Sequence, residues 1–306
     1  MNNKGLFTDS LYQQTAGLIF LAIIALGAVL FFFRKRNPSM AAAWGSLKSW
    51  FFAAPFILFV MALPAPIPLI FLTLVGIFSA KTFFKMAGMY HRSWFVVTTY
   101  LFIALLGFEI YHDVWEIYNL MPMIFMGVIA LIPLLRNSVD HMIQYMALSL
   151  MAFILFGWSY MHLAALLMMR NGVFVVLYLY LLTEVSQNVN LAMSKTLGRI
   201  RPFSKISVRF TVEGLIVSIT LTLALAFAMR QLLPERSKEY WVAAGLVAAI
   251  FGGFGDLYLS VIRRDLGIKN TGIFIIGRGD LLNRIDKLTF VGPMYYYIFI
   301  WLTERH

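Results

Sequence analysis

Apolar residues run along this chain in membrane-length blocks separated by short polar segments. The blocks cover roughly 16–33, 48–63, 67–83, 94–111, 118–135, 142–168, 172–191, 212–230, 240–262 and 287–302. Hydrocarbon about 30 Å thick takes about 20 helical residues to cross. The pattern therefore predicts an all-α, polytopic integral membrane protein with about ten transmembrane helices. Pro64-Ala65-Pro66-Ile67-Pro68 separates the second block from the third, because prolines so spaced cannot continue a helix. The alternative there is one long kinked helix over 48–80 with a re-entrant half. The segments between blocks are too short to bury a soluble core. Met1–Thr15 carries one Lys and one Asp, and Arg34-Lys35-Arg36 anchors the end of the first block, so the N-terminus does not read as a secretory signal.

Composition agrees with the pattern. The chain is 61% hydrophobic, with a mean hydropathy of +0.80, whereas soluble domains run at about 45–50% apolar. It lacks cysteine, which excludes disulfides and thiolate metal sites. The net charge of +11 matters through its placement. With ten spans, 19 of the 25 basic residues fall on one side, including Lys195, Arg199, Arg201, Lys205, Arg209 and the bases from Arg263 to Lys287. Positive residues mark the cytoplasmic side, so the 192–211 loop and the 257–286 stretch are expected in the cytoplasm of an inner-membrane protein, with both termini outside.

The charged residues concentrate in one place. Nine ionisable residues, four aspartates and five bases, lie between Asp256 and Asp286, in a chain that is only 13% charged. Function therefore divides the single membrane-embedded unit into N-terminal helices, 1–170, and C-terminal helices carrying this stretch, 171–306. Four carboxylates, Glu109, Glu184, Glu213 and Asp256, lie within blocks or at their ends. Each costs about 2.5–3.5 kcal/mol at the bilayer centre by insertion scales. Glu109, close to Tyr111, His112 and Asp113, reads as a solvated helix end. Glu184, Gln187, Asn188 and Lys195 form a polar stripe at helical spacing, which lines a cavity or bonds to other helices. Asp256, Ser260, Arg263 and Arg264 repeat that logic, with Gly252, Gly253 and Gly255 beside them for close helix packing or a ligand. His162 reads as a satisfied interior histidine, and Tyr295-Tyr296-Tyr297 with Trp301 as lipid-facing interfacial aromatics.

These parts suit phosphoryl or nucleotidyl transfer. Mg²⁺ is commonly held by one or two carboxylates plus substrate phosphates. Arg and Lys clamp phosphate oxygens, and glycines at 277 and 279 allow main-chain N–H groups to approach phosphate. A site at the membrane face implies that one substrate is a lipid; no nucleic-acid partner is expected.

The order of residues resembles the phosphatidate cytidylyltransferase (CDP-diacylglycerol synthase) family. The family's Gly-Asp-Leu, Ser-x-x-Lys-Arg, Lys-Asp-x-Gly and Pro-Gly-His-Gly-Gly-x-x-Asp-Arg-x-Asp are matched in register and without a gap. Here they read Gly255-Asp256-Leu257, Ser260, Arg263-Arg264, Lys269-Asn270, Gly272, Ile276-Gly277-Arg278-Gly279-Asp280 and Asn283-Arg284-Ile285-Asp286. Upstream, its Ser-Pro-x-Lys-Thr-x-Glu-Gly is similar to Ser207-Val208-Arg209-Phe210-Thr211-Val212-Glu213-Gly214. The resemblance implies transfer of CMP from CTP to phosphatidate or a related lipid phosphate, with Mg²⁺, giving CDP-diacylglycerol and pyrophosphate in phospholipid biosynthesis. It implies a homodimer. It casts Asp256, Lys269, Arg284 and Asp286 as catalytic, and Asp256 with Asn283 as metal ligands. Ser207, Arg209, Thr211, Glu213, Arg264, Lys195 and Glu184 would bind substrate or phosphate. The departures are Asn283, Asn270 and Gln187 for family aspartates, Phe210 for a lysine, Arg278 for the histidine and Asp280 for a glycine. Three lost negative charges weaken a site for a hard cation. The alternatives are a catalytically impaired relative that binds a lipid or a membrane partner and a transporter, which suits charges gathered at one face less well.

Overall fold

The computed structural model describes residues 5–266, apart from 34, 36, 37 and 208, and residues 282–304. Side-chain placement is described for these except 38–43, 45, 46, 49 and 282–286. Every extended element among the described residues is helical: α1 (Ser10–Phe33), α2 (Pro38–Ala62), α3 (Ile67–Met86), α4 (Ser93–Tyr111), α5 (Trp115–Arg136), α6 (Met142–Met168), α7 (Gly172–Thr196), α8 (Val212–Ala228), α9 (Lys238–Asp265) and α10 (Leu282–Glu304). Seven of them, α1, α3 to α7 and α9, are long and apolar enough to cross a membrane. Trp50–Ala62 within α2, and α8, are shorter apolar helices. The protein is a polytopic membrane protein. The chain turns between α2 and α3 at Leu63–Pro66, so 48–80 is not one continuous helix.

The helices pack as two compact units, and the division falls inside α3. Among the described residues, the first unit comprises those up to Phe71. In its described part α1 lies along α2. A Cβ on Gly27 would stand 2.9 Å from the Phe51 ring, which is why a glycine sits at that crossing. The Tyr12 hydroxyl donates to the Leu58 carbonyl, and Phe7 packs on Phe59 at the same end.

Among the described residues, the second unit comprises those from Leu72 to Leu266 and from Leu282 to Glu304. It joins helices from both sides of residue 170: Leu163 on α6 packs against Gly292 on α10, 3.1 Å from where a Cβ would stand. In it α7, α8, α9 and α10 pack on one another, while α4, α5 and α6 form a neighbouring group held by Phe102, Phe125 and Phe153. Large apolar side chains such as Leu134, Leu135 and Ile143 are more than two-thirds exposed, the expected face toward lipid. Helix α6 contains a π-helical stretch, Phe153–Ser159, where one turn is widened.

His162 is wholly buried, as its lone polar character on an apolar block implied. Its Nδ1 lies 2.8 Å from the Trp158 carbonyl and 3.1 Å from the Tyr118 hydroxyl, and its Nε2 lies 3.3 Å from Tyr297 Oη. Glu109 does not end its helix in water; it is 6% exposed, because the C-terminal turn of α4 folds against the start of α5. Tyr295 and Tyr296 are also buried, and only Tyr297 and Trp301 of that aromatic group face outward. Consecutive residues on a helix point about 100° apart, so three adjacent tyrosines cannot share one lipid-facing side.

Candidate active site

The site begins on α7. Its buried face carries small polar residues at helical spacing: Thr183, Ser186, Asn190 and Ser194. Thr183 donates to its own helix at the Leu179 carbonyl, 2.7 Å away, so it needs no outside partner. Ser186 and Ser218 stand 2.8 Å apart and tie α7 to α8. At the C-terminal end of α7 Ser194 Oγ donates to the Asn190 carbonyl at 2.7 Å and lies 3.0 Å from Thr211 Oγ1.

Thr211 is the residue from which α8 starts. Its extended backbone and its hydroxyl, which accepts from the Gly214 N–H at 3.1 Å, cap the helix. Two residues on, the Glu213 carboxylate accepts the N–H groups of Arg199 and Ile200 at 3.1–3.3 Å. Val212 N–H donates to the Ile200 carbonyl at 3.1 Å. The segment that leaves α7 is thus folded back on the start of α8. Gly214 makes this approach feasible: a Cβ there would stand 2.5 Å from Asn190 Oδ1 and 2.8 Å from both Ser194 Oγ and Thr211 Oγ1. Ser207 is buried in the same turn and accepts from the Arg209 N–H at 3.3 Å.

Helix α9 closes the site. A Cβ on Gly252 would meet Thr183 Cγ2 at 3.0 Å and Gln187 Nε2 at 3.1 Å, and one on Gly253 would meet the Phe210 ring at 3.7 Å. Asp256 follows at i+4 and i+3 from these two glycines, so its position continues the face that meets α7 and the Phe210 turn. Gly255 points elsewhere, into an apolar cleft lined by Leu155, Phe156, Tyr258, Leu259, Thr289 and Phe290. Ser260 donates to the Asp256 backbone carbonyl at 2.7 Å rather than to its carboxylate. Among the described residues the Asp256 carboxylate has no ion-pair partner, and no three His, Asp or Glu side chains cluster in metal-ligating geometry.

Glu184 makes the ion pair that joins α7 to α10. Lys287 Nζ lies 3.3 Å from its Oε1 and 3.5 Å from its Oε2. Asn188, expected on the same polar stripe, is exposed and donates to the Glu184 carbonyl at 2.8 Å. Lys195, Arg209 and Arg264 are exposed at the ends of their segments.

The structure places Glu184 on α7, Ser207 and Thr211 in the turn before α8, Glu213 in the first turn of α8, and Asp256 on α9, one turn after the glycines that meet Gln187 and Phe210. Lys269, Asn270, Gly277, Arg278, Gly279 and Asp280 lie outside the described residues, as do the side chains of Asn283, Arg284 and Asp286. Lys287 and Asn190 were not singled out from sequence. Asn190 had a signal, forming with Ser194 two polar residues at i, i+4 on an apolar helix; Lys287 looked like one more base in a basic stretch.

Residues 46–302 match the model of the cytidylyltransferase family. The chain is 25% identical to an Escherichia coli K12 protein named uncharacterized protein YnbB, over 93% of this chain and 97% of that one. It is 29% identical to phosphatidate cytidylyltransferase of Staphylococcus aureus over 126 residues, 40% of this chain and 48% of that enzyme. It is 37% identical to phosphatidate cytidylyltransferase 4, chloroplastic, of Arabidopsis thaliana over 103 residues, 33% and 26% of the two chains. The chain thus spans about half the length of the staphylococcal enzyme and about a quarter of the plant one.

Proposed function

The chain belongs to the cytidylyltransferase family, and on that premise we propose that it transfers CMP from CTP to phosphatidate or a related lipid phosphate. With phosphatidate the products are CDP-diacylglycerol and pyrophosphate. The observation that carries this reading is the convergence of Gln187, Phe210 and the Gly252–Gly253 segment beside Asp256. Three stretches distant in sequence meet one helical turn before Asp256, within the part of the chain that resembles phosphatidate cytidylyltransferases.

In the reaction an oxygen of the lipid phosphate bonds to the α-phosphorus of CTP. The bond from that phosphorus to the pyrophosphate oxygen breaks, and pyrophosphate leaves with the electron pair. The nucleophile is already an anion, so no general base is needed. What the protein must do is bring two anions together in line and neutralise them. The bases Lys195, Arg209 and Arg264 are exposed and serve in this reading as phosphate clamps, to which the family spacing adds Lys269 and Arg284, with Asp286 orienting Arg284. Ser207, Thr211 and Glu213 shape the nucleotide side of the cavity, Thr211 and Glu213 by holding the turn between α7 and α8.

Mg²⁺ fits this donor set at its lower end. One carboxylate, Asp256, stands without an ion-pair partner among the described residues, and Mg²⁺ needs one or two such groups beside substrate phosphates. When bound there, held by Asp256 and by the Asn283 carbonyl oxygen, the ion supplies neutralisation of triphosphate charge. The site faces the cytoplasm of the inner membrane, where CTP is made.

A second reading is a relative that keeps the fold and binds a lipid without turnover. It is favoured by the neutral side chains Gln187, Asn270 and Asn283 at family aspartate positions. One experiment separates the two: purified protein with labelled CTP, phosphatidate and Mg²⁺. Equal yields of CDP-diacylglycerol and pyrophosphate are expected. No product from well-folded protein, across lipid phosphates, would sink the first reading and leave the second.

A further inference from the structure

The ion pair between Glu184 and Lys287 has a role that neither the family model nor the relatives' names assign. Glu184 lies mid-way along an apolar helix, one turn before Gln187. Its side chain is 13% exposed and that of Lys287 is 20% exposed. A carboxylate in that setting requires a cation. The cation here belongs to the chain: Lys287 Nζ approaches both carboxylate oxygens, at 3.3 and 3.5 Å. Lys287 occupies the register position one turn after Asn283 on α10, and Asn283 is neutral. On α9, by contrast, Asp256 keeps its charge without an ion-pair partner among the described residues. The carboxylates of the site are thus unequal. One is neutralised from within, and the other is open to a cation from solution.

We propose that Lys287 is a tethered cation that takes the place of a metal ion at Glu184. The pair leaves Asp256 as the carboxylate that recruits a divalent cation, and it makes Glu184 a positioning residue for the start of α10. The physical basis is charge. An ammonium in contact with a carboxylate cancels the negative field there and repels a divalent ion from the same oxygens. Hard cations are drawn by anionic oxygen, so removing the ammonium uncovers a ligand. This deepens the cytidylyl-transfer reading and rests on it only for the class of metal, a divalent ion bound through oxygen.

The experiment is Mn²⁺ titration of the purified full-length protein, followed by the electron paramagnetic resonance signal of free Mn²⁺, without CTP or lipid. Lys287→Gln removes the charge and keeps a polar side chain. It should bind Mn²⁺ about tenfold more tightly than wild type, or bind an additional ion. Lys287→Arg restores a cation and should bind as wild type does, and Glu184→Gln/Lys287→Gln should lose the gain. Unchanged Mn²⁺ binding in a folded Lys287→Gln protein would overturn the proposal, as would a gain that survives in the double variant. If Lys287→Gln does not fold, Glu184→Gln decides: wild-type Mn²⁺ binding is expected, and loss of binding would make Glu184 a ligand and overturn the proposal. The readout is independent of turnover. A protein with this Mn²⁺ pattern and no cytidylyl transfer would remove the function reading alone; an active one without the pattern would remove this inference alone.

Discussion

Thr211 Oγ1 lies 3.0 Å from Ser194 Oγ and also accepts the Gly214 N–H, so one hydroxyl both starts α8 and fastens it to the end of α7. Thr211→Val keeps the shape and removes both bonds. Loss of a cap costs about 0.5–2 kcal/mol, and Ser194 loses a partner in a buried setting. We expect lower thermal stability and weaker CTP binding for Thr211→Val, and near wild-type behaviour for Thr211→Ser. Thermal unfolding in detergent and CTP titration check both; equal melting of the two variants would count against the dual role.

Gly214→Ala tests the same corner by sterics. The added methyl would stand 2.5 Å from Asn190 Oδ1, closer than non-bonded atoms allow, and 2.8 Å from Ser194 Oγ and Thr211 Oγ1. Overpacking of a fitted interior costs about 1–3 kcal/mol. The expected result is a folded protein with a lower unfolding temperature and reduced nucleotide affinity. Gly17→Ala is the control, since nothing lies within 4 Å of its Cβ position.

Asp256 and Asn283 make opposite predictions. Asp256→Ala removes the open carboxylate and should abolish both cytidylyl transfer and its dependence on Mg²⁺. Asn283→Asp adds a negative charge at the register position that the family fills with aspartate. It should tighten Mg²⁺ binding by about 1–3 kcal/mol in a partly screened site, read as a lower Mg²⁺ concentration for half-maximal rate. Full turnover in Asp256→Ala would mean that the chemistry lies elsewhere.

The asymmetry of basic residues predicts a topology, and a chain without cysteine is a clean background for testing it. Ser204→Cys, exposed in the segment between α7 and α8, should be shielded from impermeant thiol reagents in sealed cells. Ser237→Cys, exposed at the start of α9, should be labelled from outside. The reverse pattern would invert the protein in its membrane.

The spans were legible because hydrocarbon imposes one rule on every residue of a crossing helix. The expected edges 142–168 coincide with α6, and 212–230 lies within two residues of the end of α8. The candidate residues were legible where they carry charge. Glu184, Glu213 and Asp256 stand out from apolar neighbours, and the structure places all three on the helices that pack together. Asn190 was harder to see, since a short polar side chain satisfies itself on its own helix as readily as it builds a cavity; Thr211 stood out only through the family resemblance. The fate of Glu109 was hidden for another reason. A carboxylate near a helix end is solvated or enclosed according to what the next helix does, and that is tertiary information.

The widened turn at Phe153–Ser159 has a consequence for how the second unit holds together. Where it begins, α6 stacks Phe153 on Phe125 of α5, with ring centres 4.3 Å apart. After it, the same helix offers Leu163 to Gly292 and His162 to Tyr297, both on α10. A uniform α-helix would keep a single phase along its length. The inserted residue resets that phase, so one rod meshes with two sets of neighbours as a gear with offset teeth does. Deleting a single residue there would leave the helix as hydrophobic as before and yet rotate every contact beyond it out of mesh.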